Sequence, residues 1–356
     1  MAFVIIFATA RTARPQSEEP SPPSLTTVPT APAGATPAPP ASSSSLNQVQ
    51  RMIDKGRFTE ALKQLDLMTV EQPIPAGVKR LQGQAYYAMD RLTEAEAAFA
   101  AAAAQDPQDV ESLQMRGLAL FRLGKPADAI PLLLKAQQWG PQTRVDPNYV
   151  LALCYLDTRR YDDARRSFAA QYGFEPDSAR SYLLAARMLL RRDYVPIAQQ
   201  YAHKAIELDP QIPLAHGLLG EAALAGNHLD EAVAEFESER ARNPLEPGVY
   251  DRLGDAYLRL GNYETARQFL QRAVLLEPNA TGPYILLGKT LLKLQSPANA
   301  LLYLERAEAM DQGNFMTHSL LGQAYRGVGR LEDATRENEI SQKLQAANQP
   351  KLQGLQ

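Results

Sequence analysis

The chain has 356 residues, with 37 Lys and Arg against 40 Asp and Glu and a formal net charge of −3. That balance offers no general basic surface of the kind nucleic-acid binding needs, while 45% hydrophobic and 22% charged residues are ordinary for a folded soluble chain. A lone cysteine, Cys154, excludes an internal disulfide and a thiolate metal cluster.

Residues 1–10, MAFVIIFATA, are apolar but too short to span a bilayer. They match the apolar part of an export signal, and Ala8-Thr9-Ala10 fits an A-x-A cleavage site, although the basic residues that usually open such a signal are missing. An exported, periplasmic location is therefore expected, with the cytoplasm as the alternative. Residues 11–41 are rich in Pro, Ala, Ser and Thr. They hold too few large apolar side chains for burial to offset the entropy of ordering, so they are expected to form a disordered linker.

From 42 to 348 the chain repeats itself every 34 residues. Ala61, Ala95, Ala129, Ala164, Ala198, Ala232, Ala266, Ala300 and Ala334 stand in register, with one residue inserted before Ala164. A small residue precedes each alanine by twelve positions in all units but the first: Gly83, Gly117, Ala152, Ala186, Gly220, Gly254, Gly288 and Gly322. A proline follows it by twelve in the first seven units: Pro73, Pro107, Pro141, Pro176, Pro210, Pro244 and Pro278. Five positions before the alanine stands Gly56, Asp90, Gly124, Asp193, Asn227, Gly261 or Gly329.

These slots predict a helical hairpin. Gly, Asn and Asp tolerate the left-handed backbone that ends a helix, and Pro stops the second helix. The small residue and the alanine allow two helices to cross closely. The predicted units are 42–75, 76–109, 110–144, 145–178, 179–212, 213–246, 247–280, 281–314 and 315–348, with a tail at 349–356. The insertion at Trp139–Arg144 is expected to distort the stack locally. The polar Asn338 and Ser341 mark residues 331–346 as a terminal cap.

Leu253, Gly254, Tyr257, Ala266, Ala273 and Pro278 reproduce the L-G-x2-Y, Ala and Pro pattern of the tetratricopeptide repeat family, which this chain resembles. Leu321, Gly322, Tyr325 and Ala334 repeat the pattern, as do Gly83, Tyr86, Ala95, Phe99, Ala102 and Pro107. The resemblance implies an all-α fold, a right-handed superhelical solenoid of about nine hairpins behind a disordered Pro-rich segment. Ankyrin units would carry T-P-L-H, and HEAT units are longer.

The motifs that suggest chemistry do not hold together. GKT at Gly288–Thr290 lacks the G-x4-G-K-[ST] spacing and falls inside a predicted helix. His203, His216, His228 and His318 form no metal-ligand spacing; His216 and His318 share a repeat slot with Tyr284, which points to packing. Cys154 lies in an apolar helix and reads as a small buried thiol. Asn279-Ala280-Thr281 is a glycosylation sequon whose setting the sequence does not support. The chain is expected to be no enzyme and to need no cofactor or metal.

The slots at i, i+3, i+7 and i+10 of each first helix share a face. By the resemblance, this face lines a groove that grips peptide segments of partner proteins. The candidate lining residues are Arg80, Gln84, Tyr87, Gln114, Leu118, Phe121, Arg122, Tyr149, Leu153, Arg187, Arg191, Glu221, Asp251, Asp255, Arg259, Lys289, Lys293, Gln323 and Arg326. Alternatively, Leu118, Phe121 and Leu153 pack neighbouring helices. The chaperone-tail clamp of the family needs Lys and Asn where Gln84, Leu118, Leu153 and Arg187 stand, so that subtype is excluded. The expected function is a protein-interaction scaffold with one or more protein partners, no nucleic acid and no membrane span; the oligomeric state stays open. The alternative is an accessory subunit of an envelope-assembly or glycosyltransferase complex.

Overall fold

The computed structural model describes residues 41–70, 73–138 and 147–348, which hold eighteen helices and no strand. The export-like start at 1–10, the Pro-rich stretch as far as residue 40, Pro141 with the 139–146 insertion, and the tail at 349–356 lie outside the described residues. The helices run in pairs: α1 (Ala41–Asp54) and α2 (Phe58–Met68), α3 (Val78–Ala88) and α4 (Leu92–Gln105), α5 (Val110–Arg122) and α6 (Pro126–Gln138). Next come α7 (Pro147–Asp157) and α8 (Tyr161–Tyr172), α9 (Ala179–Leu190) and α10 (Val195–Leu208), α11 (Ala215–Ala225) and α12 (Leu229–Arg242). The series ends with α13 (Pro247–Arg259) and α14 (Tyr263–Leu276), α15 (Thr281–Lys293) and α16 (Pro297–Met310), α17 (Phe315–Gly327) and α18 (Leu331–Asn348).

The turn inside every pair is closed the same way. Gly56, Asp90, Gly124, Asp193, Asn227, Gly261 and Gly329 all have positive φ. Arg159 (φ 59°) and Gln295 (φ 56°) adopt it too, although their side chains disfavour that region. The reason lies in the hydrogen bonds that close the helix end. Arg160 N donates to Tyr155 O at 2.8 Å and Ser296 N to Leu291 O at 2.9 Å, as Asn262 N does to Tyr257 O where the turn residue is glycine.

The nine register alanines are between 0 and 2% exposed. The crossing they permit is not simply small against small. An added Cβ on Gly254 would stand 2.4 Å from Leu270 Cγ, one on Gly220 2.7 Å from the Phe236 ring, and one on Gly83 2.6 Å from Phe99. Each large residue sits four positions after the register alanine, one turn along the second helix. The glycine therefore makes a hole that this side chain fills. Buried clusters then run from pair to pair; the largest joins Leu133, Leu156, Phe168 and Leu189.

A second recurring slot ties each pair to the loop before it. Tyr250 Oη donates to Pro244 O at 2.7 Å, Tyr284 Oη to Pro278 O at 3.2 Å, and His318 Nε2 to Gln312 O at 3.0 Å. The packing role read for His318 is thus a hydrogen-bonding one as well.

Candidate functional site

The candidate groove residues all lie on the first helix of their pair, or at its C-cap in the case of Arg191. Many are already engaged. Arg80 lies 3.7 Å from both Asp109 and Glu111, and Gln84 Nε2 donates to Glu111 at 2.8 Å, which ties α3 to α5. Arg122 bridges Asp90 at 2.5 Å and lies over the Tyr87 ring. Leu118, Phe121, Tyr149 and Leu153 pack against the main core cluster. Gln114 is 5% exposed and offers a ligand little surface. Lys289 is half-buried, while Lys293, Gln323 and Arg326 are exposed farther along the series.

An open cleft forms where α9, α11 and α13 follow one another. Arg187, Arg191, Glu221, Asp255 and Arg259 line a hollow of about 390 Å³ over Leu190, Leu218 and Leu224. A second hollow of about 310 Å³ shares Arg187, Leu218, Glu221 and Arg252 with the first, and extends along Gly217, Gly248 and Val249. These two glycines make the room. A Cβ on Gly248 would meet only Glu246 Oε1, at 3.5 Å, and one on Gly217 would meet Glu239 at the same distance. Charges on the α13 wall are paired: Arg252 with Glu221 at 3.5 Å and Asp251 at 3.7 Å, and Arg259 with Asp255 at 2.7 Å. Burial raises the Asp251 carboxyl above its ordinary range, with Asp255 and Glu277 adding to it and Arg252 opposing.

Arg252 escapes the groove pattern because it stands one residue off that face. The sequence does carry a signal for it. The same slot holds Leu81, Met115, Val150, Leu184, Leu218, Leu286 and Leu320 in other units, so a cation there breaks an apolar series. Gly217 and Gly248 carry no such signal, since the space they open depends on the neighbouring helices.

The other candidates for chemistry resolve into packing. Gly288 lies against Leu304 in α15, and the buried Thr290 Oγ1 donates to Leu286 O at 2.7 Å. Cys154 is fully buried, and burial pushes its thiol up to about 12. Ligand atoms of Glu308, His318 and Glu337 lie within 4.8 Å of one another, the one cluster among the described residues with metal-ligand chemistry. His318 has both ring nitrogens in use, Nδ1 with Glu337 at 2.7 Å and Nε2 with Gln312 O, and Arg336 lies 3.6 Å from Glu337. The cluster is accordingly a hydrogen-bonded ion pair. No helix among the described residues is long and apolar enough to cross a membrane.

These hairpins and their slots are a sequence family's hallmark. A tetratricopeptide repeat model matches residues 80–142 and 193–247, and a second model described the same way matches 247–280. Over residues 80–142 and 193–280 the chain therefore carries tetratricopeptide repeats. Its repeats are of the kind that build protein-interaction scaffolds, generally non-catalytic ones. Among solved structures, YrrB, described as a TPR protein with an unusual peptide-binding site, is similar at 22% identity and a TM-score of 0.44, over 52% of this chain and 95% of that one. MamA from Desulfovibrio magneticus RS-1 is similar at 20% identity and a TM-score of 0.45, over 49% and 98%. A chain of the APC/C hetero-tetramer Cut9-Hcn1 is similar at 17% identity and a TM-score of 0.43, over 80% and 56%. No curated protein sequence matches the chain.

Proposed function

We propose that this protein is a non-catalytic scaffold that holds a peptide segment of a partner protein in the cleft across α9, α11 and α13. The observation that supports this reading is the pair of adjoining hollows, whose walls come from three successive first helices and whose floor is apolar. Binding sites commonly combine an apolar floor with a few placed polar groups. Arginines beside such a floor are a residue type that anchors interfaces.

A photo-crosslinking residue placed at Ala225, an exposed position of the cleft, tests the proposal. It should capture a partner in cells that the same residue at Leu275, exposed on α14, does not. The captured segment, made as a synthetic peptide, should bind the full chain and lose at least about tenfold in affinity, about 1.4 kcal/mol, against Gly248→Phe, which fills the second hollow. Capture at Leu275 alone, or full affinity in the filled variant, would move the binding site elsewhere.

A further inference from the structure

The cleft is unevenly neutralised. On α13, Arg252 and Arg259 each have a carboxylate within 3.5 Å. On the facing α9 wall, Arg187 and Arg191 are exposed, stand one helical turn apart, and form no ion pair among the described residues. Like charges at i and i+4 repel each other. Arginines outnumber carboxylates on the walls of the larger hollow four to three, and of those carboxylates only Asp193 is not engaged by an arginine. The apolar floor at Leu218 lies directly below this charge.

We infer that the segment this cleft takes is acidic: an Asp or Glu side chain set between Arg187 and Arg191, beside an apolar side chain that enters the hollow over Leu218. The inference rests on the cleft being the binding site. A guanidinium can hold a carboxylate through two parallel hydrogen bonds, which gives direction as well as attraction. An anion between the two arginines also removes their mutual repulsion. On the walls of the larger hollow a basic segment would find only Asp193 unengaged, since Arg252 and Arg259 already hold Glu221 and Asp255. An extended chain turns alternate side chains to one side, which suits two adjoining hollows.

Short fluorescein-labelled peptides alternating Glu with Leu, Gln with Leu, and Lys with Leu, titrated into the full chain by fluorescence anisotropy, test this. The Glu peptide should bind about tenfold more tightly than the Gln peptide. The advantage should vanish in the Arg187→Gln/Arg191→Gln variant and shrink as salt screens the charges. The Gln peptide should bind the variant and the wild type alike, and both proteins should have the same helical circular dichroism. Equal binding of Glu and Gln peptides, or preference for Lys, with all of it lost in Gly248→Phe, would overturn the acidic assignment and leave the cleft standing. Binding of no peptide, or binding that Gly248→Phe leaves intact, would overturn both.

Discussion

The α11–α12 pair and the α17–α18 pair are built on the same slots, 102 residues apart, and differ in what fills them. Both join a histidine to a glutamate at 2.7 Å, His216 with Glu235 and His318 with Glu337. In the inner pair Gly220 receives Phe236, and the fully buried Glu239 accepts from Leu214 N at 2.8 Å and Gly217 N at 3.2 Å. In the last pair those two slots hold Asn338, whose amide lies against Gly322, and Ser341, which donates to Phe315 O at 2.8 Å. The inner pair uses its slots to fix the start of α11, which borders the cleft. The last pair has smaller polar groups in the same places.

The largest expected effect comes from Glu239. Glu239→Ala strands two amides at the head of α11 and should cost about 1–3 kcal/mol, against about 0.5–1.5 for Ser341→Ala in the matching slot. Urea denaturation midpoints of the two variants measure the difference, and equal losses would erase the distinction between the pairs. Next, Gly220→Ala drives a methyl into the Phe236 ring, an overpacking cost of about 1–3 kcal/mol that better helix propensity offsets by about 1. Gly322→Ala first meets the movable tip of Asn338, although the Ala334 carbonyl at 3.2 Å must also give. It should lose less stability than Gly220→Ala in the same melts, and a greater loss would mean the last pair is packed as tightly as the inner one.

The smallest effect is one of pH. Burial opposes charge on His318, but its bonds to Glu337 and Gln312 O and the charges of Glu337 and Glu308 outweigh that, and its affinity for a proton is raised above the ordinary 6.5. Because the folded value is the higher one, the stabilisation is complete below the unfolded value and is lost as pH rises through the folded one. Thermal midpoints recorded from about pH 5 to pH 9 should therefore fall more steeply above the ordinary histidine range in the wild type than in His318→Gln. Parallel curves would show that the pair carries no such linkage.

Much of the architecture was legible in the chain. The glycine, alanine and turn slots recur with local backbone and packing causes, so period alone marks the hairpins. Two turns escaped that reading, at Arg159 and Gln295, because the closing hydrogen bonds impose positive φ on residues that do not prefer it. The partner of each crossing glycine escaped it as well: Leu270 and Phe236 lie sixteen residues beyond Gly254 and Gly220, on the other helix. Within the groove face, sequence spacing selected the side chains that share an aspect of each first helix. It could not tell Arg187 from Arg122, since Arg122 is bound to Asp90 across 32 residues.

What the sequence by itself determined is the repeating hairpin, because each slot answers a constraint that lies within one unit: a turn, a helix stop, a close crossing. Only the tertiary structure decided where a cleft opens and which charges face it unpaired. Those depend on how side chains from successive units meet, and a one-dimensional period is blind to that.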